Sequence, residues 1–174
     1  RLGLHAALVG KLTPQEVAPV ASRLGWRLHL DGERRCRLQR GPLQLQLEWG
    51  RFASVVQQCD LLLSMTGTAA EQGVGLGKPV LQLAGGGPQF TAGFAEAQRR
   101  LLGPGVVCAD GPAGSESQLS DTAQLVETLL QRLRDEPAWR DTLQRIGLER
   151  IGSGGGGARM AADLHTLLQS RRHG

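Results

Sequence analysis

The chain has 174 residues, a formal net charge of +4 and an apolar share of 40%, which suits one soluble domain with a proper core. Three cysteines (Cys36, Cys59, Cys108) and four histidines (His5, His29, His165, His173) are scattered without zinc or disulfide spacing, so reduced thiols and no metal are expected. The basic pairs Arg34-Arg35, Arg99-Arg100 and Arg171-Arg172 sit in mixed surfaces, Tyr is absent and aromatics are few, so a nucleic-acid partner is excluded. The mild basic bias reads first as solvated faces, and it also suits anionic phosphates or a lipid surface.

Arg1 to Val9 reads directly as a strand, with no start methionine and no leader before it, so the sequence reads as a fragment. Thr13-Pro14-Gln15-Glu16 is a helix start with Pro at the first helical position, and Val17, Val20, Ala21 and Leu24 form its apolar stripe up to Gly25. Residues 26–30 alternate as a half-buried strand, and residues 37–39 and 43–47 form a hairpin around Arg40-Gly41-Pro42. A short helix over 51–59 follows. The order is then strand 60–64, helix 68–76, strand 79–83, helix 89–101 and a short strand 106–108. Alternating strands and helices predict an α/β fold with a mostly parallel sheet. Helices over 120–134, 136–150 and 158–170 make a tail, from residue 119, that wraps the same single domain.

The chemistry concentrates in residues 61–72, Leu-Leu-Leu-Ser-Met-Thr-Gly-Thr-Ala-Ala-Glu-Gln, where an apolar strand runs through a small-residue turn into a helix. Gly67 permits close approach, and the helix start points unpaired amides at an anion. Glu71, one turn in, is placed to accept hydrogen bonds from ribose hydroxyls. Thr68-Ala69-Ala70-Glu71 is equally a capping box, and both readings stand. The next segment repeats the plan: a helix ends at glycine, Pro79 opens a buried strand, and Gly85-Gly86-Gly87 leads into another helix. Three glycines exceed what a plain connector needs. Two such turns lie at one sheet edge, where open α/β sheets bind ligands. Gly152 to Arg159 has no preceding strand and no Lys-Ser/Thr ending, so it reads as a helix connector and not a phosphate loop. The Gly, Pro and Ser-rich stretch Asp110 to Gln118 reads as a surface loop without chemistry.

Residues 65–80, with Gly87-Pro88-Gln89-Phe90 and residues 94–103 (Phe-Ala-Glu-Ala-Gln-Arg-Arg-Leu-Leu-Gly), resemble the bacterial lipid-A-disaccharide synthase-related proteins. The resemblance is strongest over 59–103 and extends more distantly to nucleotide-sugar glycosyltransferases with two facing Rossmann-like domains, the GT-B plan. It implies that residues 1–174 are the C-terminal, donor-binding domain, lacking a first strand and the acceptor domain. It also implies that Ser64, Thr66, Gly67 and Thr68 face a donor diphosphate, that Glu71 contacts the ribose, and that Gly85, Gly86, Gly87 and Gln89 approach the sugar. Gln98 is either a further sugar contact or a polar helix-capping residue.

The implied activity is transfer of a hexosyl or N-acetylhexosaminyl group from a UDP-sugar to an acceptor hydroxyl, with inversion and without a metal or cofactor. The catalytic base is not assigned and belongs with the acceptor domain, so the fragment alone is expected to be silent. The implied location is the cytoplasm, with peripheral contact at the inner face of a membrane if the acceptor is a lipid. Two alternatives stay open, a UDP-sugar epimerase and a binding or scaffold module that keeps the fold without the chemistry.

Overall fold

The computed structural model describes residues 2–8, 10–30, 35–65 and 67–170. The chain forms two compact units, Arg1–Cys59 and Asp60–Gly174. Both are α/β, but the strands fall into two separate sheets, and only the second is wholly parallel.

The first unit runs β1 (Leu4–Leu8), α1 (Pro14–Arg23), β2 (Arg27–Leu30), β3 (Arg35–Arg40), β4 (Leu43–Trp49) and α2 (Phe52–Gln58). Its sheet has the order β1-β4-β3-β2, with β1 parallel to β4 and the other pairs antiparallel. Only Gly41-Pro42 separates β3 from β4, and so short a link makes antiparallel neighbours, which is why this sheet departs from the parallel expectation. Period-two alternation sorts the faces. Leu28, Cys36, Leu38, Leu45 and Leu47 meet Val17 and Ala21 of α1 in one apolar cluster. His5, Gln46, Arg37 and His29, paired in register across all four strands, lie on the opposite face. The capping box of α1 forms as the sequence indicates. Thr13 Oγ1 accepts from Glu16 N–H at 3.3 Å, and Thr13 N–H donates to Glu16 Oε2 at 2.8 Å. Those backbone and side-chain bonds from Thr13 hold the Glu16 carboxyl below its ordinary range.

The second unit runs β5 (Leu62–Ser64), α3 (Thr68–Gly75), β6 (Val80–Gln82), α4 (Ala92–Leu102), β7 (Val106–Cys108), α5 (Glu116–Asp135), α6 (Pro137–Arg150) and α7 (Gly156–Ser170). Its three strands are parallel in the order β5-β6-β7. Helices cover both faces, so the successive residues Val80 and Leu81 of β6 are both 0% exposed. On one face Leu62, Val80 and Val106 pack with Ala70 and Val74 of α3, Leu102 of α4 and Ile146 of α6. On the other, Leu81 and Val107 pack with Leu129 and Leu133 of α5 and Trp139 and Leu143 of α6. Small residues let α3 come close. A Cβ on Gly73 would lie 2.8 Å from Leu62 Cδ2 and 2.9 Å from Val80 Cγ2, and one on Gly147 of α6 would run into the Val74 carbonyl oxygen. Helix α7 buries none of its residues. No helix among the described residues is long and apolar enough to cross a membrane.

Candidate functional site

Parallel strands bring their C-terminal ends to one edge, so the loops after β5, β6 and β7 lie side by side in the second unit. The first of these turns on Gly67, the N-cap of α3, with φ 86° and ψ −157°. That backbone region is open essentially to glycine alone. A Cβ there would meet nothing within 4 Å, so the requirement comes from the backbone and not from crowding. Because Gly67 takes the non-helical turn, Thr68 is already the first helical residue, and the capping box offered by Thr68 and Glu71 does not form. Helical hydrogen bonding begins with Ala70 N–H donating to Gly67 O at 2.9 Å, which leaves the Thr68 and Ala69 amides without an intrahelical acceptor. Thr68 is exposed and Glu71 half-buried. Thr66 lies outside the described residues.

The loop after β6 is closed on itself. Gly85 N–H donates to Phe90 O at 2.7 Å and Phe90 N–H to Gly87 O at 3.2 Å. This ring of backbone bonds delays α4 to Ala92, three residues later than the sequence indicates, with Thr91 Oγ1 accepting from Phe94 N–H at 3.2 Å as the cap. Its glycines have separate reasons. Gly87 has φ +108°, and a side chain on Gly85 would collide with that of Met65 in the neighbouring turn. Gly86 has open space around it, and Gln89 is exposed.

Beneath the two turns runs a buried polar chain. Gln98 of α4 is 7% exposed and Gln82 at the end of β6 is 0% exposed. Gln98 Oε1 accepts from Gly67 N–H at 3.1 Å and also from Gln82 Nε2. Gln82 Oε1 in turn accepts from Cys108 Sγ at 3.8 Å, the residue opposite it in register. Burial first, then the Glu96 charge, pushes the Cys108 thiol up, so it stays a protonated donor. Gln98, for which the sequence leaves two roles open, is thus bound to the amide of the residue that opens α3.

A cleft of about 540 Å³ opens where the three loops meet. Ser64 and Met65 line it from the first loop, Gly85 and Gly86 from the second, and Gly114 and Gln118 from the third. Gln118 holds two of these loops together, accepting from Gly114 N–H at 2.8 Å and donating to the Ala84 carbonyl at 3.0 Å. Sequence reasoning missed this wall. The stretch ending at Gln118 reads as a surface loop, yet Ser115 caps α5, which starts at Glu116, and Gln118 is 2% exposed. The Ser-x-x-Gln spacing at the head of an apolar-periodic run was the available signal. Of the sequence-derived site residues, Ser64, Gly85 and Gly86 line the cleft, and Gly67, Thr68 and Glu71 follow directly after its first loop. Gly87 and Gln89 continue its second loop, and Gln98 supports it from inside.

The basic pair on α4 is engaged. Arg99 Nε lies 2.6 Å and Arg100 Nε 2.8 Å from the two oxygens of Glu96. Those hydrogen bonds, Arg99 before Arg100, lower the Glu96 carboxyl to about 2. Comparison with family models, with curated proteins and with solved structures returns no match.

Proposed function

We propose that this chain binds a nucleotide sugar, most simply a UDP-sugar, as the donor domain of a glycosyltransferase related to lipid-A-disaccharide synthase. The observation that carries the reading is the meeting of two glycine turns at the C-terminal ends of adjacent parallel strands, beside one cleft. The diphosphate is assigned to the start of α3, where the Thr68 and Ala69 amides lack intrahelical acceptors. Glu71, not consumed as a cap, is assigned to the ribose hydroxyls, and the loop from Gly85 to Gln89 to the sugar.

In the reaction we infer, an acceptor hydroxyl attacks the anomeric carbon, the bond to the diphosphate oxygen breaks, and the configuration inverts. Charge grows on the leaving diphosphate, and fixed amides stabilise it by about 0.3–2 kcal/mol from the helix term, with charge-assisted hydrogen bonds in addition. The acceptor and the base that takes its proton are assigned to a second domain. We place the protein in the cytoplasm, against the inner face of a membrane where the acceptor is a lipid.

Calorimetric titration with UDP, UDP-N-acetylglucosamine and pyrophosphate tests this. A Kd of about 1 μM to 1 mM for UDP is expected, tighter than for pyrophosphate. Glu71→Ala should weaken UDP binding while shifting stability by no more than about 0.5 kcal/mol, since no cap is lost. Absence of heat with all three ligands would refute the donor reading and leave a fold without this chemistry.

A further inference from the structure

The buried pair Gln82 and Gln98 is not accounted for by packing alone. Two carboxamides inside an α/β core cost free energy unless each is hydrogen-bonded, and apolar side chains would fill the same space without that condition. Their bonds have a direction. Gln82 Nε2 and Gly67 N–H both donate to the same oxygen, Gln98 Oε1, while Gln82 Oε1 accepts from Cys108 Sγ. The thiol and the second donor therefore fix which way each carboxamide faces, and Gln98 presents an oxygen, not an NH₂, to Gly67. Gly67 adopts a backbone region that glycine enters at no steric cost, so the backbone angle alone does not fix where its amide points. Its amide donates to Gln98, from a helix 31 residues further along the chain.

We propose that Gln98, oriented by Gln82, is a positioning residue of the α3 turn. It draws the Gly67 amide inward and so fixes the direction of the Thr68 and Ala69 amides that follow, without itself touching the ligand. This rests on the nucleotide-sugar reading for what those amides bind, and on geometry alone for Gln98's hold on Gly67.

Two readouts separate the parts. In ligand-free protein, the Gly67 amide should exchange slowly with solvent, and Gln98→Leu should speed that exchange by about tenfold or more while leaving the far-ultraviolet spectrum unchanged. In titrations, the same variant should weaken pyrophosphate, UDP and UDP-N-acetylglucosamine by one common factor of about tenfold, because all three use the same amides. A loss confined to UDP-N-acetylglucosamine, with Gly67 exchange unmoved, would make Gln98 a sugar contact and overturn the proposal. Should Gln98→Leu fail to fold, nuclear magnetic resonance titration of the unaltered chain with pyrophosphate decides. The Thr68 and Ala69 amide signals must move and the Gln98 carboxamide signals must stay, and a moving carboxamide overturns it. If no probe binds the unaltered chain, the nucleotide-sugar reading falls together with the anion role. Binding by the unaltered chain, with Gly67 exchange unchanged in the variant, removes Gln98's part alone.

Discussion

At Gly67 the amide points inward to Gln98 and the backbone adopts φ 86°, which any side chain resists. Gly67→Ala is therefore expected to cost about 1–3 kcal/mol, seen as a lowered urea midpoint at unchanged slope, although the added methyl meets no atom. Glu96 supplies a pH-dependent contribution. Its carboxyl is held at about 2 in the folded chain against an ordinary 4.5, by Arg99 and then Arg100. A lowered carboxylate stabilises the fold fully above the unfolded value and loses that contribution as pH falls through the folded one. The stability difference between the parent and Glu96→Gln should thus shrink steadily from pH 4.5 to 2 and stay flat above it. Glu96 is on the surface, so the difference should be small and fall with added salt.

Elements were the more legible scale, and the reasons differ by element. Thr13-Pro14-Gln15-Glu16 and the stripe behind it carry their own start signal and local hydrogen bonds, so the start of α1 is legible from its own residues. Strand β7 is bounded by glycine and named by its β-branched residues. The start of α4 is not legible in the sequence, because the ring closed by Gly85 N–H and Phe90 O is a backbone event without side-chain periodicity. Gln82 and Gln118 are opaque in the sequence for a related reason. A glutamine looks solvated until a partner 16 or 34 residues away is brought against it. The contact between α3 and α6 was also invisible, since it depends on Gly147 letting a helix lie against the Val74 carbonyl. Gly147→Ala should force the two helices apart and destabilise by about 1–3 kcal/mol, measurable by thermal unfolding.

On the scale of the whole molecule, every residue of the cleft and two of the three apolar clusters belong to residues 60–174. A chain starting at Asp60 should accordingly keep a cooperative unfolding transition and whatever UDP affinity the longer chain has, as calorimetry on both would establish. Loss of both properties would mean that the second unit is not self-sufficient. The two glycine turns also set how this sequence can drift over generations. Every replacement of a glycine adds a Cβ, so Gly67 and Gly87, both at positive φ, have no easy neighbours in sequence space, whereas Gly86, in open space and not at positive φ, has several. Among descendants of this chain, the middle of the triple glycine is where variation should accumulate, and the residue ahead of α3 is where a lineage stands still.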